Sequence, residues 1–147
     1  MFKKLFKNKK NDNQSGENIL IAALLIHAAK IDENYTESEK KIIKKAIIEL
    51  NNIDDNNAKK LLTLAEKKEE ESNQIVEFTK EIKKYSNEFR LKIIEIVWKI
   101  VYSDGTNDMY ESNLIRRICG LLYISDKDNG VIKLKVQKNL KIKKQNI

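Results

Sequence analysis

Apolar residues recur along this chain with the spacing of α-helices. Ala58, Leu61, Leu62 and Ala65 follow the i, i+3, i+4, i+7 pattern of one helical face. Residues 19–29 are apolar almost all round, which is typical of a central helix, and this run is too short to span a bilayer. The pattern predicts seven helices, at about residues 17–31, 37–50, 55–71, 73–84, 87–103, 109–123 and 126–138.

Capping residues mark where these helices begin. Thr36 is followed three positions later by Glu39, the spacing of a capping box, and Asp108 with Glu111 repeats that spacing before the sixth helix. The pair at residues 51–52 is expected to end the second helix. Further N-caps are predicted at Ser86, Ser125 and either Asp54 or Asp55.

The two capping boxes belong to a longer internal repeat. Asp32 aligns with Asp104 and Glu39 with Glu111, at a separation of 72 residues. A one-residue slip after the second and sixth helices is needed to align the third helix with the seventh. The first three helices then correspond to the last three, with the fourth joining them. The predicted fold is all-α, an internally duplicated helical bundle in a three-plus-one-plus-three order.

Composition supports one helical domain with basic ends. The chain has 147 residues, no proline and four glycines. Its net charge of +7 is uneven, because residues 1–14 carry +4, residues 133–147 carry +6 and the body carries −3. We therefore expect a basic amphipathic tail and linker at residues 1–16, a helical domain at residues 17–138 and a lysine-rich tail at residues 139–147.

The chain offers little catalytic chemistry. His27 is the sole histidine and Cys119 the sole cysteine, and there is no glycine-rich phosphate loop or nucleophile motif. We interpret His27 as a satisfied core histidine and Cys119 as a small buried position. The charged run at residues 66–71 is interpreted as the solvated end of the third helix. A non-enzymatic protein is predicted, and a single cysteine fits a reducing, cytoplasmic compartment.

Several segments resemble the TerB-like family, named for tellurite-resistance protein B. They cover about residues 17–136 and include AALLIHAAKIDENYTESEKKII and YESNLIRRICGLLYIS. The resemblance rests on residues in register at Phe78, Glu95, Trp98, Asp104, Gly105 and Glu111. It implies an all-helical duplicated fold, a place in tellurite or chemical-stress systems, and an acidic, cation-binding surface. The matching acids are Asp32, Glu39, Asp104 and Glu111. Glu33 replaces the usual glycine of the first turn.

Two interpretations of these four acids stay open. Together they would supply the oxygen ligands that Ca²⁺ or Mg²⁺ prefers, although neither turn is an EF-hand. Alternatively, both glutamates serve as helix caps, and no cofactor is required. A separation beyond about 10 Å between the Asp32 and Asp104 carboxylates would rule out one shared ion, given ligand distances of roughly 2.0–2.6 Å.

Three functions follow from these observations. The first is a non-catalytic cytoplasmic module that binds a protein partner, as an accessory to a stress response. The second is a divalent-cation-binding protein that uses the duplicated acidic turns. The third is peripheral attachment of the lysine-rich tails to RNA or to the inner face of the membrane, where residues 1–10 would give weak contact with anionic lipid. Nucleic acid is the less expected of these two surfaces.

Overall fold

The structure, a computed structural model, describes the backbone of residues 11–30, 35–72, 74–104 and 109–145. Side chains are described for residues 18–30, 35–72, 74–103 and 113–139. These parts of the chain form seven α-helices and contain no strand, which confirms the predicted all-α fold. The helices are α1 (Asn11–Ala29), α2 (Glu37–Asn51), α3 (Asp55–Glu71), α4 (Ile75–Thr79), α5 (Asn87–Val101), α6 (Met109–Leu121) and α7 (Asp126–Gln145).

The two terminal helices are longer than the sequence pattern predicted. α1 begins at Asn11 rather than at residue 17, so the expected linker at residues 11–16 is helical. α7 continues to Gln145 instead of ending at residue 138. Neither segment contains proline, and the lysine-rich end of α7 consists largely of good helix formers. Amphipathic periodicity marks only the part of a helix that packs, so it underestimates both lengths.

The predicted fourth helix is divided in two. α4 ends at Thr79, and a separate 3₁₀ turn follows at Ile82–Lys84. Within it the amide of Tyr85 donates to the carbonyl of Ile82 at 3.0 Å, an i→i+3 bond. A further 3₁₀ turn, Tyr102–Asp104, extends α5.

The predicted caps that lie within the described residues are confirmed. The amide of Glu39 donates to Oγ1 of Thr36 at 3.1 Å, and Oε1 of Glu39 accepts from the amide of Thr36 at 2.8 Å. Asp54 caps α3, Ser86 caps α5 and Ser125 caps α7 through the same type of bond. The second capping box, at residues 108 and 111, lies outside the described side chains.

The two halves of the bundle share one packing arrangement. In each half the first helix packs on the two that follow it, most extensively on the third, and α1 also packs against α5. Asn52 and Tyr123 end the second helix of each half in the left-handed conformation, at φ 53° and 58°. They are 71 residues apart, which is the 72-residue separation of the repeat less the one-residue slip. This match supports the internal duplication.

The core fills the space between these helices. Its largest fully buried side chains include Trp98, Phe78 and Phe89. The indole nitrogen of Trp98 donates to Oδ1 of Asn129 at 2.9 Å, so α7 satisfies the polar atom of this residue. Cys119 is also buried, as predicted. The core therefore explains the aromatic residues of α5 without a ligand.

Candidate functional site: a groove between α2, α5 and α7

A groove of ≈ 610 Å³ lies between α2, α5 and α7. Its floor is apolar and includes Ala46, Ile96 and Val136, each at most 5% exposed. The complete set of described lining residues is Ser38, Ile42, Lys45, Ala46, Glu49, Ile96, Lys99, Ser103, Val136 and Asn139. Apolar floors with a few polar groups at the rim are typical of binding sites.

The rim of the groove is polar and carries both signs of charge. Lys45 and Lys99 contribute two ammonium groups, and Glu49 contributes one carboxylate. Ser103 lies at the end of α5, where its hydroxyl donates to the carbonyl of Ile100 at 2.7 Å. Ser38 lies in the first turn of α2. The first turn of α2 and the end of α5 thus both contribute to the lining of the groove.

A buried carboxylate fixes the position of one rim lysine. Glu95 is 8% exposed, and its Oε1 lies 2.6 Å from Nζ of Lys135. Lys92 and Lys99 place their Nζ atoms 3.8 Å from Oε2 of the same carboxylate. Burial raises the pKa of Glu95, but the hydrogen bond from Lys135 and the charges of the three lysines outweigh it and hold the pKa below its ordinary value. Glu95 is therefore a charged link between α5 and α7.

Of the four predicted acidic ligands, only Glu39 has a described side chain. It is 4% exposed and turns back onto Thr36, so its role as a cap is confirmed. Asp104 closes the 3₁₀ turn after α5 and Glu111 lies in α6, but both side chains, and all of Asp32, lie outside the described residues. Among the described residues no group of three or more His, Cys, Asp or Glu side chains could hold a metal ion.

A comparison with models of protein families assigns the chain to a family. A family model described as "Tellurite resistance protein TerB" matches residues 18–134. The chain belongs to the TerB family. No curated protein and no solved structure gave a significant match. The family match covers α1 from residue 18, all of α2 to α6 and the first part of α7, so it includes most of the groove, although Val136 and Asn139 lie beyond it.

Besides the contacts of Glu95, the described part of the TerB-family bundle contains a buried ionic cluster around Glu69 that the sequence did not predict. Oε2 of Glu69 lies 3.2 Å from Nδ1 of His27, and Oε1 of Glu69 accepts a hydrogen bond from Nζ of Lys30 at 2.8 Å. Glu69 is only 7% exposed, so the interpretation of residues 66–71 as a solvated end is wrong at this position. Residue 69 lies one turn after Ala65 on the same apolar face of α3 as Ala58. This helical spacing by itself indicates that Glu69 faces the core.

The cysteine of this TerB-family chain is poorly suited to nucleophilic chemistry. Cys119 is 1% exposed. Burial and then the charge of Asp126 raise the pKa of its thiol to about 12. Because the thiolate is the reactive form, Cys119 is essentially unreactive near neutral pH. Packing accounts for this residue.

None of the described helices is long and apolar enough to cross a membrane.

Proposed function

We propose that this TerB-family chain is a non-catalytic module that binds an amphipathic helical segment of a protein partner in the groove between α2, α5 and α7. The observation that carries the proposal is the groove itself, an apolar floor of three helices with a charged rim. Its volume lies within the range of about 300–1,000 Å³ common for binding clefts. Grooves of this kind take the apolar face of a helix.

The length of the groove supports a helical occupant. Along α2 the lining residues run from Ser38 to Glu49, a rise of about 16 Å at 1.5 Å per residue. That length accommodates about three turns of a partner helix, with anchors at i, i+3, i+4 and i+7. Small polar ligands would leave most of this floor in water.

The charges at the rim favour a segment with acidic flanks. Lys45 and Lys99 line the groove together with one carboxylate, Glu49, and Lys99 also lies 3.8 Å from the carboxylate of Glu95. Rim charges of this kind accelerate association and set its orientation more than they add affinity.

The surroundings of the histidine and the cysteine, the two side chains best suited to catalysis, support a non-catalytic role. His27 is held against Glu69, and Cys119 is buried with a raised thiol pKa. A reducing, cytoplasmic location is part of the proposal and rests on the single cysteine. A role as an accessory to the stress response rests on the tellurite-resistance description of the family.

Affinity purification with matched charge-reversal variants tests the proposal. Lys45→Glu changes the rim, whereas Lys60→Glu makes the same change on the exposed surface of α3, outside the groove. We expect a partner to be retained by the wild type and Lys60→Glu and weakened at least about tenfold in the purified pair by Lys45→Glu. Equal binding by all three proteins would contradict the proposal.

Cation binding by the duplicated turns stays a second candidate. It is favoured by the fact that Ser38 and Ser103 line the same groove, because each of them is close in sequence to one of the two turns. Calcium and magnesium titration by calorimetry, repeated with Asp104→Asn and Glu111→Gln, tests it. Heat that disappears in both variants would support a site, and no heat at millimolar metal would exclude one.

A further inference from the structure

Among the described residues, two of the most exposed large apolar side chains lie together on α7. Val131 is 61% and Leu134 is 59% exposed. They are three residues apart, so they occupy the same side of the helix. Beside Val131 a shallow depression of ≈ 350 Å³ separates α7 from α5, and Leu91 and Ile132 contribute apolar surface there. We call Val131, Leu134 and this depression the α5–α7 face.

The charges of the α5–α7 face change sign along its length. Glu88 and Asp128 line one part of the depression, in the first turns of their helices. Lys92 and Lys135 line it further along the same helices, together with Glu95, whose single carboxylate pairs with both lysines. Trp98 bonds to Asn129, and Tyr102, four residues later, bonds to Gln137, so the two helices run parallel. The face therefore has an acidic end and a basic end.

We infer that the α5–α7 face binds a second copy of this chain about a two-fold axis, with the two α7 helices antiparallel. A two-fold axis pairs the same surface on both copies, and an axis perpendicular to α7 also reverses the direction of that surface. The acidic end of each copy then meets the basic end of the other. Asp128 precedes Val131 by three residues and Lys135 follows it by four, so an axis near Val131 sets Asp128 opposite Lys135 of the second copy.

The other orientation is unfavourable because it aligns like charges. A parallel arrangement would place the lysine-rich ends of both α7 helices side by side. α7 has 20 residues, so the antiparallel arrangement separates these ends by up to about 30 Å, well beyond a Debye length of about 8 Å. An ammonium group has three donors, so Lys135 can serve Asp128 of the second copy while retaining Glu95.

The size of the face sets the expected strength of association. Only a few apolar side chains are exposed on it, which is typical of weak interfaces. We therefore expect a reversible dimer with a dissociation constant in the micromolar range. The groove between α2, α5 and α7 has a different lining, so this inference is independent of the proposed partner site.

Sedimentation equilibrium of the full chain over micromolar to millimolar concentrations tests the inference. Leu134→Lys should weaken association at least about tenfold, whereas Leu64→Lys, at a position 53% exposed on α3, should leave it unchanged. Salt should weaken the wild-type dimer through the screening of its charge pairs. A wild-type monomer throughout the range, or equal effects of the two lysine variants, would overturn the inference.

A charge swap tests the antiparallel orientation itself. Asp128→Lys and Lys135→Glu should each weaken the dimer, and the double variant should restore it, because each copy then presents the reversed pair. Glu95 keeps Lys92 and Lys99 when Lys135 is replaced. Thermal unfolding checks that all variants fold. A folded double variant that associates no better than the single ones would refute the two-fold arrangement.

Discussion

Replacement of Glu69 should loosen the attachment of α1 to α3. Its carboxylate joins His27 and Lys30 at the end of α1 to the last turn of α3. Nearly all of Glu69 is buried, while the side chains of His27 and Lys30 are 23% and 31% exposed. Glu69→Ala removes both interactions, and Glu69→Gln keeps the shape of the side chain but removes its charge.

The magnitude follows from the exposure of the three partners. A hydrogen bond to a charged group contributes about 1.5–3 kcal/mol, and Glu69 makes two polar contacts of this kind. Water can still reach both partners after the substitution, so the sum must be discounted. We expect Glu69→Ala to cost about 2–3 kcal/mol and Glu69→Gln about 1–2 kcal/mol. For a domain of this size, the alanine variant should lose roughly 6–10 °C in Tm.

Urea unfolding followed by circular dichroism measures these differences, with Glu70 as the matched control. Glu70 is the next residue in the same charged run, but it is exposed, so Glu70→Gln should change the free energy of unfolding by less than about 0.5 kcal/mol. A double-mutant cycle with Lys30→Met should give a coupling energy for the ion pair. Equal effects of Glu69→Gln and Glu70→Gln would refute the buried role of Glu69.

Three further predictions concern single positions. Tyr123 has φ 58°, which asparagine adopts more readily, so Tyr123→Asn should raise the free energy of urea unfolding by about 0.5–1 kcal/mol; a loss of stability would contradict this account. Glu95 has a lowered pKa in the folded state, so its stabilisation is full above its ordinary value of 4.5 and is lost as the pH falls through the folded pKa. The difference in unfolding free energy between the wild type and Glu95→Gln should therefore shrink as the pH falls below 4.5 and disappear once Glu95 is protonated in the folded state, whereas a constant difference would refute the ion-pair explanation. Thr36→Ala should cost about 1 kcal/mol of unfolding free energy through the lost cap, while Thr63→Ala, on an exposed position of α3, should cost nothing; equal costs would show that the cap is unimportant.

The fold was predictable because its signals are local. A capping box needs only Thr36 and Glu39, and a helical face needs residues three and four apart. These patterns located all seven helices and the caps at Asp54, Ser86 and Ser125. Helix ends without a cap or a buried face carry no such signal, which is why α1 and α7 proved longer than predicted.

The groove was not predictable because its parts are distant in sequence. Ile42, Ile96 and Val136 come from three helices and share a surface only after α2, α5 and α7 have packed. Each position by itself looks like ordinary core. Periodicity shows that a residue faces inward, but it does not show where packing leaves a cleft.

Buried ionic contacts were missed for a similar reason. Glu69 stands in a charged run and Glu95 stands between Ile94 and Ile96, and acidic residues of either kind mostly lie in water. Their partners, Lys30 and Lys135, are 39 and 40 residues away along the chain. Only the tertiary fold brings each carboxylate to its ammonium group.

Site-specific photo-crosslinking in cells tests the central claim, binding of a partner helix in the groove. A benzophenone side chain at Ser38 lies on the groove, and the same side chain at Asn56 lies on the exposed start of α3. The account predicts one discrete protein adduct from position 38, loss of that adduct when Lys45→Glu is added, and no such adduct from position 56. Equal adducts from the two positions, or an adduct at position 38 that Lys45→Glu leaves unchanged, would contradict it.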